Sequence, residues 1–330
     1  MAERQSTTQK VQIGFEATPG TIVPATKIIQ SYRIDPGVKA TLTPFTPTGF
    51  KAPTLIPLGQ EMVEAKISGV ATYSEIITLL NSLLVAPAAP TQIGTTGGYP
   101  WLFTPSVNSP DSFKTISVEQ GDSVRAHSFG FGVVNSLGFK WDRNNATIDG
   151  SMFGGKLNDG ATLTALSGAG STYEIIQVLG SQIAVYADST NGGLGTTKLT
   201  RVLMGEINIS ERYKPLWVVD SAQGSFVAVV ESVPKIELKL TLEADSNGMA
   251  FLNSMRNGST TFFRVKALGA NIGTGADYLL QFDIAGKVSA ISEFKDQDGV
   301  YAVEFTFTAV YDATWAKFLE VKAVNKISTL

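Results

Sequence analysis

Residues 235–243, Lys-Ile-Glu-Leu-Lys-Leu-Thr-Leu-Glu, alternate polar and apolar without a break. Ile236, Leu238, Leu240 and Leu242 fall on one side, and Lys235, Glu237, Lys239, Thr241 and Glu243 on the other. That period of two suits a half-buried antiparallel strand, one face on a core and one on water. The same pattern marks residues 27–34, 61–68, 199–210 and 301–311; in the last, Tyr301, Val303, Phe305 and Phe307 share the expected core side. Helical spacing occurs only at residues 74–84 and 247–256. Ser74 is the expected N-cap of the first helix and Asp245 or Ser246 of the second, which Asn257-Gly258 closes. The chain therefore reads as mainly β with two short helices. Its 330 residues, 43% hydrophobic, suffice for two cores of roughly 150 residues each.

The chemistry open to such a chain is narrow. It has no cysteine, which removes disulfides, thiolate nucleophiles and cysteine metal sites and fits folding in a reducing cytosol. Its one histidine, His127, alternates with Phe129 and Phe131 on one face of an expected strand, without a recognisable Ser or carboxylate partner motif. Gly150-Ser-Met-Phe-Gly-Gly155-Lys156 has phosphate-loop spacing, but Leu157 stands where Ser or Thr would hold magnesium, so it reads as a glycine-rich strand exit. Asp296-Gln-Asp298-Gly299 lacks the third acidic position and closing Glu of a calcium loop and suits a hairpin turn. Ser292 and Lys295 have acyl-enzyme spacing without the companion motifs. A net charge of −3 argues against a protein that grips nucleic acid. No apolar run is long enough to cross a bilayer as a helix, and the first residues lack a signal-peptide pattern, so neither secretion by a leader nor membrane embedding is expected.

The two halves resemble each other. Leu80-Asn81-Ser82-Leu83 aligns with Leu252-Asn253-Ser254-Met255, and the strands leading into the helices match as residues 66–71 beside 239–244. Gly-Thr turns correspond at 15–21 and 185–196, and hairpins at 137–148 and 289–300. The expected organisation is a first domain over 1–160 with an extended loop at 36–57, a small, polar linker over 161–172, and a second domain over 173–330.

The opening Ile13-Gly-Phe-Glu-Ala-Thr-Pro-Gly-Thr-Ile-Val-Pro24, followed by a long strand pair bracketing a Pro- and Thr-rich loop, a single helix and a closing hairpin, resembles the tail tube (major tail) proteins of long-tailed bacteriophages. With two such halves the chain looks like the duplicated subgroup. The resemblance implies two tandem β-sandwich or partial-barrel domains, each with one flanking α-helix. Their long hairpins would join those of neighbours into a β-barrel around a channel for DNA in transit. Three chains would form a pseudo-hexameric ring, with hexameric rings as the second arrangement, and rings would stack into a tube. The implied partners are other copies of the chain and the tape-measure, tail-tip and terminator proteins. The implied location is the virion tail, assembled in the host bacterial cytoplasm, with no enzymatic activity, metal or cofactor.

A conduit needs a lumen without basic stripes or interleaved aromatics that would hold DNA. The candidate channel-lining residues are Ser31, Arg33, Glu64, Lys66, Ser68, Glu206, Asn208, Ser210, Arg212, Glu237, Lys239, Thr241 and Glu243; their four cations balance four anions. An ordinary solvated sheet face is the alternative. Candidate contacts between subunits or rings are Phe45, Phe50, Leu55 and Ile56 on the Pro-stiffened loop, and Trp217 in the shorter counterpart at 214–225. A loop folded onto its own domain is the simpler reading. Rival functions are a tail terminator or baseplate ring protein of similar fold, and a carbohydrate- or receptor-binding β-sandwich using Trp101, Trp141, Trp217 or Tyr213 as sugar platforms. A glycosidase working with carboxylates alone stays open as well.

Overall fold

The alternating segments become strands, and all the strands but two, which pair only with each other, become one antiparallel network. The computed structural model describes residues 6–95, 97–220, 223–246 and 248–330. Asn247, the expected first residue of the second helix, and residues 221–222 of the second arm lie outside the described residues.

Strands β1 (Lys10–Phe15), β2 (Lys27–Ile29), β3 (Tyr32–Leu42) and β4 (Leu58–Val70) lead to helix α1 (Ile76–Leu83). After it come β5 (Tyr99–Phe103), β6 (Ile116–Gly121), β7 (Ala126–Trp141), β8 (Ala146–Gly154) and β9 (Asn158–Ala161). The chain continues through β10 (Ile183–Asp188), β11 (Val202–Ser210), β12 (Tyr213–Leu216), β13 (Ala228–Glu231) and β14 (Lys235–Glu243) to helix α2 (Ala250–Asn257). It ends with β15 (Thr261–Gly273), β16 (Ala276–Ile291), β17 (Lys295–Gln297), β18 (Val300–Ala309) and β19 (Leu319–Asn325).

Eight of these strands pair side by side in the order β3-β4-β8-β7-β11-β14-β18-β16. Strand register carries an apolar row straight across the sheet: Gly69, Ile148, Phe139, Ile207, Leu238, Phe307 and Val288 are successive cross-strand partners. One residue along, Arg33, Ser68, Asp149, Gly138, Asn208, Glu237, Thr308 and Lys287 form a polar row, because a shift of one residue along every strand exchanges the faces. At the β7–β11 seam Gly205 lies opposite Trp141, and a Cβ there would meet the indole at 2.3 Å, so only glycine lets the ring lie against that backbone.

The pairing on either side of the seam repeats. β1 pairs with β6 and β6 with β7, as β10 pairs with β15 and β15 with β16; β9 lies on β7 as β19 lies on β16. β7 and β16 are both 16 residues long; each has different partners at its two ends and carries an irregularity in its pairing, between Val134 and Ser136 with β8 and between Val288 and Ala290 with β18. Such a bulge bends a strand so that one end serves one sheet and the other end the next.

The helices differ in setting. All eight residues of α1 are buried, as expected for a helix apolar almost all round, while in α2 only Phe251 is. α1 begins one residue later than expected: Glu75 is its N-cap, and Thr72 Oγ1 accepts the Glu75 N–H at 3.2 Å. α2 follows Met249, with the Asp245 carboxylate holding Gly248 N–H at 2.8 Å. Gly258 closes α2 in the left-handed conformation, φ 61°, as expected. The turn at Asp298-Gly299 also forms, with positive φ at both residues, between β17 and β18. Tyr301 departs from its expected core position: Val303, Phe305 and Phe307 are buried, but Tyr301 lies at the strand's exposed start, stacked on Phe294.

Candidate functional site

The polar face of the eight-stranded sheet gathers most of the expected channel residues. Arg33, Glu64, Lys66 and Ser68 stand exposed on β3 and β4; Glu206, Asn208 and Ser210 on β11, and Glu237, Lys239 and Glu243 on β14, are half-buried. Side chains of opposite sign meet across strands. Lys140 lies 3.0 Å from Asp149 and 3.6 Å from Glu206, and Lys239 lies 3.8 Å from the same Glu206. The Lys140–Glu206 pair bridges the seam. Asp149, then Glu206, hold the Lys140 ammonium above the ordinary lysine range against the desolvation that opposes them.

Two expected members leave this face, and a third is buried within it. Arg212 lies just past β11, where Glu211 takes a positive φ of 59° and redirects the chain; the Arg212 side chain is only 2% exposed. Ser31 turns its hydroxyl onto Glu75, which also accepts the Gln30 and Ser31 N–H groups. Burial raises the Glu75 pKa, with the Ser31 and Gln30 hydrogen bonds opposing. Thr241 is buried between Met204 and Glu304 on the flanking strands. The face gains Lys140, Asp149 and Lys287 from strands not assigned to it from sequence. Arg33, Lys66, Lys140, Lys239 and Lys287 then balance Glu64, Asp149, Glu206, Glu237 and Glu243, so the charge balance survives the change of membership.

The expected long loop is in part a strand extension. Residues 36–42 belong to β3, and the hairpin beyond continues through a Phe45–Leu55 bridge, with Thr43 N–H on Pro57 O and Phe50 N–H on Pro47 O. This arm stands clear of the rest of the chain: Phe50 and Leu55 are each 63% exposed, Ile56 59% and Phe45 56%. Its counterpart between β11 and β14 folds inward. Tyr213 and Phe226 are buried with Met62, Val133 and Phe153, and Trp217 packs edge-on against Phe226 at 6.1 Å. Trp217 is thus taken up within its own chain.

Arg212 fastens that second arm. Its guanidinium donates to Leu83 O at 3.3 Å and Leu84 O at 3.2 Å, pairs with Asp111, and lies 2.6 Å from Glu231. Tyr213 adds a hydroxyl bond to Leu84 O at 3.2 Å and donates its N–H to Asn135 Oδ1 at 2.9 Å. Asp111 and Leu84 flank the segment joining α1 to β6, which α2 lacks because β15 begins at Thr261.

The two Gly-Thr turns also share a device. Glu16, just after β1, accepts the Gly20 N–H at 2.8 Å; Asp188, the last residue of β10, accepts Gly195 N–H at 3.0 Å and the N–H groups of Thr196 and Thr197. Although desolvation opposes them, these bonds hold the Asp188 carboxyl below its usual range. The native state therefore binds its proton more weakly than the unfolded chain, and the stabilisation is present above the unfolded pKa and lost as pH falls through the native one. Asp188→Asn is expected to cost about 1–2 kcal/mol at pH 7, a difference that shrinks below about pH 4. Urea unfolding of both proteins at pH 7 and pH 3 measures this; an equal gap at both would remove the carboxylate from the account.

Of the expected sugar platforms, Trp101 is 3% exposed, and Trp141 and Tyr213 are buried as well, so none of the three can stack on a sugar. Among the described residues no group of His, Asp or Glu is arranged to hold a metal. The glycine-rich 150–154 stretch lies within β8. A comparison with protein-family models and with curated proteins found no match.

Proposed function

We propose that the protein is a self-assembling structural subunit, a tail tube protein whose chains close into rings around a channel for DNA. The observation that carries the reading is the β7–β11 seam. It joins two four-stranded sheets of the same pairing order, β3-β4-β8-β7 and β11-β14-β18-β16. At the outer limits of the combined sheet, β3 pairs only with β4, and residues 287–291 of β16 pair only with β18, among the described residues. Unpaired edges of this kind are an aggregation hazard in a lone chain and an assembly surface in a closed ring. Pro36 in β3 removes one donor and discourages indiscriminate pairing. In this reading each half is a tandem tube domain, and three chains repeat the seam between β16 of one copy and β3 of the next. The sign-balanced polar face lines the channel, and the apolar face lies outward under the helices. Tape-measure, tip and terminator proteins meet the tube at its interior and ends.

The register gives a charge test. Glu206 faces Lys239 as Asp35 faces Lys66, so Asp35 occupies at the outer edge the place Glu206 has at the seam. Lys295, beside the end of β16, corresponds to Lys140. Asp35→Lys and Lys295→Glu are each expected to weaken ring formation about tenfold, and the double variant to recover it, with monomer stability unchanged. Negative-stain electron microscopy and mass measurement across concentration test the whole reading. Uniform rings or tubes support it; a chain that stays monomeric, even with an initiating tip complex, overturns it.

A further inference from the structure

We infer that the second half carries a binding site for a small organic acid, whose carboxylate takes the place that the Glu75 side chain fills in the first half. The inference draws on the repeat between the halves and holds whether or not the chains form rings.

Hydrogen bonds fix which residues correspond. Val70 donates its N–H to Ser31 O as Glu243 donates its own to Arg201 O, so Gln30 and Ser31 match Thr200 and Arg201. Thr72 accepts the Glu75 N–H as Asp245 accepts the Gly248 N–H, so Glu75 matches Gly248. In the first half the buried Glu75 carboxylate accepts the Gln30 N–H at 3.0 Å and the Ser31 N–H at 2.7 Å, which ties the entry of β3 to the start of α1. In the second half a glycine holds that place. The Thr200 and Arg201 N–H groups have no acceptor among the described residues. Position 248 cannot supply one, because a Cβ there would meet the Glu243 carbonyl oxygen at 2.2 Å. The acceptor has to come from a separate molecule.

Space for such a molecule is open at this place. Thr200, Arg201 and Gly248 line a cavity of about 520 Å³, within the roughly 300–1,000 Å³ typical of small-molecule sites. Leu199, Leu242 and Phe251 give it an apolar wall. A ligand that suits both parts has a carboxylate at one end and an apolar body behind it. The acids around the cavity already have donors: Asp188 holds the 195–197 turn, and Glu243 and Asp245 pair with Arg201. Lys198 adds a further cation to the lining. Once bound, the acid joins the entry of β11 to the start of α2, as Glu75 joins β3 to α1. Charge-assisted N–H bonds of this kind separate a carboxylate from an amide of the same shape.

Acetate, hexanoate and benzoate are the probes, and benzamide is the neutral counterpart. Titrated into the isotope-labelled chain, hexanoate and benzoate are expected to shift the Thr200 and Arg201 amide resonances saturably. Acetate, without an apolar body, is expected to bind more weakly than either, and benzamide about tenfold more weakly than benzoate. Ala250→Leu narrows the cavity from an exposed position on α2, and Ser254→Leu narrows it from the next turn. Each is expected to weaken benzoate binding about tenfold, and Ala250→Leu to leave the thermal midpoint of the unliganded chain unchanged. No saturable shift from any of the three acids, equal binding of benzamide and benzoate, or a benzoate affinity that neither variant alters would overturn the site.

Discussion

Replacing Arg212 by Met is expected to cost about 3–5 kcal/mol, the largest effect of any single polar substitution in this chain, because it leaves a buried charge without its partner. The Asp111 side chain is only 4% exposed and would lose its cation, while the Leu83 and Leu84 carbonyls would lose their donors. Glu231, at the arm's own base, would lose the same partner. Arg212→Lys is expected to recover only part of the loss, since an ammonium cannot span two carbonyls and two carboxylates with the guanidinium's fixed fork. Chemical denaturation gives the magnitude, and limited proteolysis locates it: cleavage should appear first between Tyr213 and Glu231. A loss under about 1 kcal/mol would mean that Arg212 merely tolerates its burial.

Phe139→Ala is the second large expectation, again about 3–5 kcal/mol, from the cavity left where the two halves meet. Phe139 stands in the apolar row at the seam, opposite Ile207, with its ring 5.3 Å from that of Phe282 and 5.5 Å from that of Trp141. The main hydrophobic cluster draws residues from both sides of the seam, so both halves should lose stability together. Tryptophan fluorescence and a far-ultraviolet signal averaged over the chain should shift by the same amount. Separate transitions, with only one displaced, would show that the seam does not couple the halves. Phe50→Ala, on the exposed arm, serves as the contrast and is expected to change monomer stability by less than about 0.5 kcal/mol.

These expectations differ in how far the amino-acid order alone could supply them. The alternation at 235–243 reports which side of β14 meets the core, because burial on one face is a local demand on every second residue. The closing Gly258 and the Asp298-Gly299 turn were legible for the same reason: each depends on a positive φ that glycine adopts without strain. Arg212 was not legible. It continues the polar series of Glu206, Asn208 and Ser210, and only the turn at Glu211 and an acid 101 residues away take it inside. Tyr301 fails in the opposite sense, since alternation assigns a side but does not say where the covering layer ends. The seam was the least visible element, because its choice of partner is settled by contacts between residues some 70 apart. The cross-strand charge on Lys140 carried a signal, since it alternates with the buried Phe139 and Trp141.

The seam also changes the kinetics of any assembly built from this chain. β7 and β11 are tethered by the residues between them, so they meet at an effective concentration set by the linker, independent of how much protein is present. Half of the junctions in a ring built this way are already made before two molecules collide. Assembly then has fewer bimolecular steps, and dilution can oppose only the junctions between chains. A chain divided between β9 and β10 would keep the same surfaces but pay the association entropy at every junction, and its rings should vanish at concentrations where the intact chain still closes them.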